Sequence, residues 1–241
     1  MLVELGPGVG AAVTDRRGGL SRPPYAAANL GTHVGEDPAI VRANRELAAR
    51  RLGLDPAAVV WMDQTHGREV AVVSNSQPAP VAAVDGLVTA TPALALAVLV
   101  ADCTPVLLAD PAARVVAVAH AGREGLRAGV VLQTVQRMLK LGASAPGIRA
   151  WLGPAVCGAC YEVPPELRAQ VATVVPAAHA STRQGTPALD IRAGVRAQLA
   201  GAGVDAVGTS PVCTAEDARY YSVRREATTG RFAGYAWLVG Q

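Results

Sequence analysis

Aromatic side chains, histidine and charge are all scarce in this chain. Of its 241 residues 4% are aromatic, four are histidine and 17% are charged, while 51% are hydrophobic. So little charge on so much apolar sequence excludes a disordered chain, and the length suffices for a real core. The net charge is +3 and no basic block exceeds two adjacent residues, which speaks against a nucleic-acid-binding stripe. Long apolar runs are missing too: the longest, 93–101, stops at Asp102. A membrane-spanning helix needs about 20 apolar residues, so no membrane partner is expected. The opening MLVELGPGVG has an acid and no basic cluster, unlike an export leader. The expectation is a cytoplasmic protein whose four cysteines, Cys103, Cys157, Cys160 and Cys213, remain thiols. Walker A, G-x-G-x-x-G and G-x-S-x-G patterns are absent. GPGVG at 6–10 has no strand before it and reads as a loop.

The 25 glycines and 17 prolines are spread along the chain, and neither a repeat nor a linker divides it. The only loose stretch, SNSQPAP at 74–80, is a loop, so one domain over 1–241 is expected. Apolar and β-branched runs predict strands at 59–62, 69–73, 94–100, 115–119, 148–152, 207–210 and 235–239. Helices are predicted at 38–52, 125–141, 165–175 and 191–202. The first has Asp37 at its N-cap, Pro38 in its first turn and Gly53 as its stop. Strands and helices intermix, giving an α/β (mixed α+β) class.

Three metal-ligand types sit in comparable places. His66 lies in Asp63-Gln64-Thr65-His66-Gly67, after the run VVWM. Cys103 lies in Ala101-Asp102-Cys103-Thr104-Pro105, after ALAVLV, and His120 in Ala119-His120-Ala121-Gly122, after VVAVA. Strand ends converge in open sheets. Two imidazoles and a thiolate suit zinc with one position open, the usual catalytic pattern, and the same ligands accept copper. Zinc lowers the pKa of its water towards about 7, making a nucleophile at neutral pH. Asp102, beside Cys103, is a candidate proton shuttle if the strand ends or bulges there.

Other clusters carry less. Cys157-Gly158-Ala159-Cys160 is followed at once by Pro164-Pro165, where a redox pair would open a helix. No second C-x-x-C completes a structural site, so it reads as a tight loop with two incidental thiols. Arg16-Arg17-Gly18-Gly19 and Arg224-Arg225 read most simply as solvated turns that could also face an oxyanion, and Asp85-Gly86 reads as a turn.

Taken in order, DRRGGLSRPPYAAANLGTHVG (15–35), DQTHG (63–67), VDGLVT (84–89), ADCTPVLLAD (101–110), AHAG (119–122), GPAVCGACYEV (153–163), CT (213–214) and YSVRR with TTGR (221–231) resemble the YfiH family. That family is also called the multicopper polyphenol oxidoreductase, laccase-domain or peptidoglycan editing factor family. The resemblance covers nearly the whole chain. It implies a four-layer α-β-β-α sandwich and a mononuclear zinc site carried by His66, Cys103 and His120. It also implies purine nucleoside phosphorolysis of adenosine, inosine, guanosine or methylthioadenosine, with adenosine deamination, so the partners expected are a nucleoside and phosphate. Arg16 matches the family's opening arginine and is the candidate for phosphate; Asn29 is the candidate for nucleoside contact. Two departures fall near the implied pocket. Arg123-Glu124 stands where the family usually has Trp-Arg, and Pro164-Pro165 follows Tyr-Glu-Val where it tends to have Gly.

Two other functions are consistent with the family's names. A copper-dependent polyphenol oxidase would need paired histidines for a trinuclear cluster, and four histidines are too few. A cell-wall editing hydrolase would use Cys103 with His120 as nucleophile and base.

Overall fold

The longest apolar runs are buried on both faces, which a single exposed sheet does not allow. The computed structural model, which describes residues 1–240, places them in two stacked sheets. The chain lays down β1 (Val9–Val13), α1 (Pro38–Arg51), β2 (Val59–Val60), β3 (Val70–Val72), β4 (Gly86–Thr89), β5 (Ala95–Val100), β6 (Thr104–Asp110) and β7 (Val115–Ala121). Then follow α2 (Arg123–Ala128), α3 (Val130–Lys140), β8 (Arg149–Leu152), α4 (Pro165–Val174), β9 (His179–Ser181), β10 (Pro187–Leu189), α5 (Ile191–Gly201), β11 (Ala206–Thr209), α6 (Val223–Glu226) and β12 (Phe232–Leu238). One sheet has the order β1-β12-β5-β2 and the other β11-β8-β6-β7-β4-β3; β9 and β10 pair separately.

Two-residue alternation assigns each side chain to a layer. In β7, Val116 and Val118 enter the core between the sheets, while Val115, Ala117 and Ala119 face the helices. Leu107 and Ala109 of β6 and Leu96, Val98 and Val100 of β5 fill the same inter-sheet core. Ala95, Ala97 and Leu99 lie on the opposite face of β5, in a cluster with Ala49 of α1. Val131, Val135 and Met138 of α3, with Val195 and Leu199 of α5, cover the outer face of the six-stranded sheet. The layer order is α-β-β-α, the expected four-layer sandwich.

Each predicted strand has a counterpart, with shifted ends. The shift with consequences is in β7, which runs to Ala121 rather than 119, so His120 lies inside a strand instead of after it. β1, β4, β6 and the β9–β10 pair were not predicted. GPGVG is only partly a loop, because Val9 and Gly10 open β1. The Asp85-Gly86 turn is overturned: Gly86 begins β4, paired with Ala119 of β7, and Asp85 is fully buried. The helix expected over 125–141 is two. Gly129, at φ +84°, takes a left-handed conformation that ends α2 and opens α3. α1 starts as predicted, with Asp37 accepting the Ala39 N–H at 2.8 Å. No helix among the described residues is long and apolar enough to cross a membrane.

Candidate metal centre

The chain crosses from the four-stranded to the six-stranded sheet between β2 and β3, and again between β5 and β6. His66 lies in the first crossing and Cys103 in the second. Strand alternation turns His120, like Val116 and Val118, towards the inter-sheet side of β7. The three side chains therefore meet where the two crossings pass the end of β7. Their ligand atoms all lie within 4.8 Å of one another. Cys103 Sγ is 4.0 Å from His66 Nε2, and the two imidazoles meet edge to face with centroids 4.6 Å apart. Both crossings need unusual backbone: His66 has φ +60° and Asp102 φ +81°. β5 ends at Val100, so Asp102 and Cys103 are freed from strand alternation.

Asp85 organises the site. Its carboxylate accepts the N–H groups of Thr65 (3.1 Å), His66 (3.0 Å) and Gly67 (2.7 Å), and the Thr65 hydroxyl at 3.1 Å. Oδ1 also lies 2.8 Å from His120 Nδ1. Burial opposes the Asp85 charge, but the His120 hydrogen bond and charge, with the Gly67 and Thr65 N–H groups, outweigh it and hold the carboxyl down at about 2. An ionised carboxylate only accepts, so Nδ1 donates to it and Nε2 is the ring nitrogen turned away from Asp85. Gln64 fixes the same loop from the other side, donating to Leu99 O and accepting from Leu99 N–H, both at 2.8 Å. Without a metal, burial would raise the Cys103 thiol, yet His120 and His66 bring it down to about 6. Burial likewise lowers His120, but the Cys103 charge and Asp85 outweigh it and lift His120 to about 9.

These residues fit a cation. A tetrahedral zinc ion with these ligand lengths holds sulfur and nitrogen about 3.5 Å apart, close to the separation found. A Cβ on Gly122 would sit 3.0 Å from Cys103 Sγ and 3.1 Å from His66 Cδ2, so a side chain there would press on two of the three ligand residues. The Asp85–His120 contact is the carboxylate–histidine pairing that orients metal-bound imidazoles.

The cluster opens into a cavity of about 590 Å³. Arg123, Arg224 and Arg231 supply positive charge to its lining, and among the described residues Asp102 is the only carboxylate there. Asp102 Oδ1 accepts from the Thr214 hydroxyl (2.6 Å), and Oδ2 accepts the Arg224 N–H (2.7 Å). Tyr161 lines the wall with the Arg224 guanidinium 5.2 Å from its ring centroid. His33 is the third histidine in the lining; burial, then the charges of Arg231 and Arg45, lower it below its ordinary value, so it is neutral at neutral pH.

Two expected substrate contacts are not in this lining. Arg16 donates to Ala26 O (2.8 Å), pairs with Glu226 (2.5 Å) and stacks 4.6 Å over Tyr221. Asn29 is fully buried and spent on the backbone and Glu36: Nδ2 donates to Gly31 O (3.1 Å) and Glu36 (2.8 Å), and Oδ1 accepts from Gly31 (2.9 Å) and Arg231 (2.8 Å) N–H. In the structure both side chains are engaged by the framework, and neither lies in the lining of this cavity. Arg123 faces the cavity, as the sequence change suggested, and Glu124 is neutralised by Arg123 (2.9 Å) and Arg127 (3.0 Å). Pro165 simply opens α4. Sequence reasoning missed Asp85, Gln64, His33, Tyr161 and Arg231. The signal for Asp85 was available, as a lone charge inside the apolar stretch 81–88.

The sequence matches the family described as multi-copper polyphenol oxidoreductase laccase over residues 10–239. It is 60% identical over 229 residues to purine nucleoside phosphorylase ORF3 of Streptomyces griseus, covering 94% of this chain and 93% of that one. It is 39% identical over 237 residues to purine nucleoside phosphorylase YfiH of Escherichia coli, covering 96% and 95%. The crystal structure of YlmD from Geobacillus stearothermophilus matches with a TM-score of 0.91 at 31% identity, over 97% of this chain and 93% of that one. With its layers, its motifs and these relatives in agreement, the chain belongs to the YfiH family, the group described as multi-copper polyphenol oxidoreductase laccases.

Proposed function

We propose that this chain is a metal-dependent purine nucleoside phosphorylase that also deaminates adenosine. The observation that carries the reading is one cavity lined by the His66, Cys103 and His120 cluster, three guanidinium groups and a tyrosine ring. The relatives named as purine nucleoside phosphorylases support the same class.

His66, Cys103 and His120 would hold zinc, the sulfur favouring it over harder cations. When bound there, the ion supplies Lewis-acid polarisation at its open position. The chain's own groups do the rest. Arg231, Arg224 and Arg123 bind phosphate as charge-assisted donors. Tyr161 provides a flat apolar face for a purine. Asp102 takes up and returns a proton during deamination, through lone pairs beyond those that accept from Thr214 and Arg224. The walls formed by Leu99, Val100, Val156 and Ile191 limit water at the reacting centre.

The test is incubation of purified protein with adenosine, with and without phosphate, followed by chromatography. Adenine and ribose 1-phosphate are expected only with phosphate, and inosine in both. If neither adenine nor inosine forms, or if His66→Ala matches the parent protein, the reading fails. Asp102→Asn is expected to lose inosine formation more than adenine formation.

A second reading has one observation in its favour. Cys103 and His120 place their sulfur and ring nitrogen within 4.8 Å, and without a metal the lowered thiol and raised imidazole favour the thiolate–imidazolium pairing that a cysteine hydrolase uses. Metal that blocks Cys103 alkylation in the protein as isolated separates the two.

A further inference from the structure

The Cys157-Gly158-Ala159-Cys160 loop does not stand alone. Cys213-Thr214-Ala215-Glu216 has the same spacing and folds into the same turn. Cys157 O accepts the N–H groups of Cys160 (2.9 Å) and Tyr161 (3.0 Å); Cys213 O accepts those of Glu216 (3.1 Å) and Asp217 (2.9 Å). The turns are locked together by a parallel bridge between Ala155 and Cys213 and by Thr214 N–H donating to Ala155 O at 3.1 Å. A backbone N–H also donates to sulfur, from Cys157 to Cys213 Sγ at 3.3 Å. The ligand atoms of Cys157, Cys160, Cys213 and Glu216 all lie within 4.8 Å of one another. The missing half of a structural site is thus supplied by a C-x-x-E.

We propose that Cys157, Cys160, Cys213 and Glu216 form a second, structural zinc site. Paired turns that each present ligands at i and i+3 are how small zinc sites are built, and N–H···S bonds orient their sulfurs. Four protein ligands close the coordination shell, which marks a structural rather than a catalytic ion. Three sulfurs select a soft or borderline cation over magnesium or calcium. Each thiol that ligates releases its proton to solvent. Three thiolates and a carboxylate around a divalent ion leave two negative charges. Arg183 offsets part of that, pairing with Glu216 and donating to Cys160 Sγ at 3.8 Å. Glu216 is solvent-exposed and Cys213 is buried, so the ion would enter from the Glu216 side.

The site lies behind the cavity. The first turn follows Val156, which lines the cavity and donates its N–H to Asp102 O at 3.0 Å, and is followed by Tyr161. The second contains Thr214, whose hydroxyl holds Asp102. The zinc would keep both walls in register without touching substrate, and it is independent of the reaction proposed above.

The test counts zinc per chain by mass spectrometry in full-length protein purified without chelator. His66→Ala/His120→Ala, which disables the cavity cluster, is expected to retain one equivalent. Loaded with cobalt(II) instead, that variant is expected to show the intense thiolate-to-cobalt charge transfer and tetrahedral visible bands of a sulfur-rich site. Cys157→Ser/Cys213→Ser is expected to lose one equivalent relative to the parent and to melt at a lower temperature. No zinc and no cobalt spectrum in the His66→Ala/His120→Ala protein overturns the proposal, as does undiminished zinc in the cysteine variant. Should the cysteine variant fail to fold, the histidine variant decides alone.

Discussion

Nδ1 of His120 lies 2.8 Å from Oδ1 of Asp85, and both side chains are buried. The same carboxylate gathers three successive N–H groups of the loop carrying His66. One acid therefore orients two of the three residues proposed to hold the metal, one through its ring and the other through its backbone. Asp85→Asn tests this. An amide offers one accepting oxygen, so some of these donors must face an NH₂ group. An unsatisfied buried donor costs about 1–3 kcal/mol. Loss of such a partner weakens metal binding about 10–100-fold. Chelator competition and a thermal melt should show both effects in the same variant, and unchanged zinc affinity would contradict the role.

Gly122→Ala is expected to separate folding from metal binding. Gly122 sits at φ −86°, ψ −177°, a conformation that alanine adopts freely. The added methyl would instead press on Cys103 Sγ and His66 Cδ2. The variant should melt within a few degrees of the parent protein and bind zinc far more weakly. Equal zinc content under chelator competition would show that the cradle is looser than the geometry states.

The sequence made this cluster readable because ligand-type residues are rare in it and the ones that matter follow apolar runs. The apolar runs marked β5 and β7 as strands, whereas β6 went unpredicted and the four-layer order was implied only by the resemblance to the family. What could not be read depended on pairing between distant segments. Asp85 looks like a turn residue until Gly86 pairs with Ala119. Arg231 reaches the cavity because β12 inserts between β1 and β5. The pairing of Arg16 with Glu226, 210 residues away, is invisible in its motif. The nearness of Cys213 and Glu216 to the C-x-x-C likewise depends on pairing between distant segments, the bridge between Ala155 and Cys213.

Metal-stripped protein should show an unusual pH response at Cys103. Iodoacetamide attacks the thiolate, so alkylation should rise through a midpoint near pH 6, where the lowered thiol titrates. His120→Ala removes the main opposing charge and should move the midpoint upward. Stability linkage runs in two directions here. The lowered thiol contributes stability that is complete above its ordinary 9.0 and lost as pH falls through about 6. The raised imidazole contributes stability that is complete below its ordinary 6.5 and lost as pH rises through about 9. Between those values the slopes oppose each other, so the pair should leave denaturant midpoints of the stripped protein nearly flat. A steep change across that range, absent from a Cys103→Ala/His120→Ala control, would contradict the pairing.

Arg231 and Arg16 make a matched pair for locating phosphate. Arg231 lines the cavity, held by Thr229 O (3.1 Å) and Gly230 O (3.0 Å), while its backbone N–H is fixed by Asn29. A hydrogen bond to a charged group is worth about 1.5–3 kcal/mol, so Arg231→Ala should raise KM for phosphate about ten- to a hundredfold. Arg231→Lys should recover only part of this, because an ammonium lacks the planar fork. Arg16→Ala should leave phosphate KM within a few-fold of the parent and instead lower the melting temperature, since its partner Glu226 and the face of Tyr221 are half or fully enclosed. Initial rates at varied phosphate with adenosine held saturating decide the matter. A large KM effect in Arg16→Ala together with none in Arg231→Ala would return the anion to the N-terminal arginine and away from the cavity.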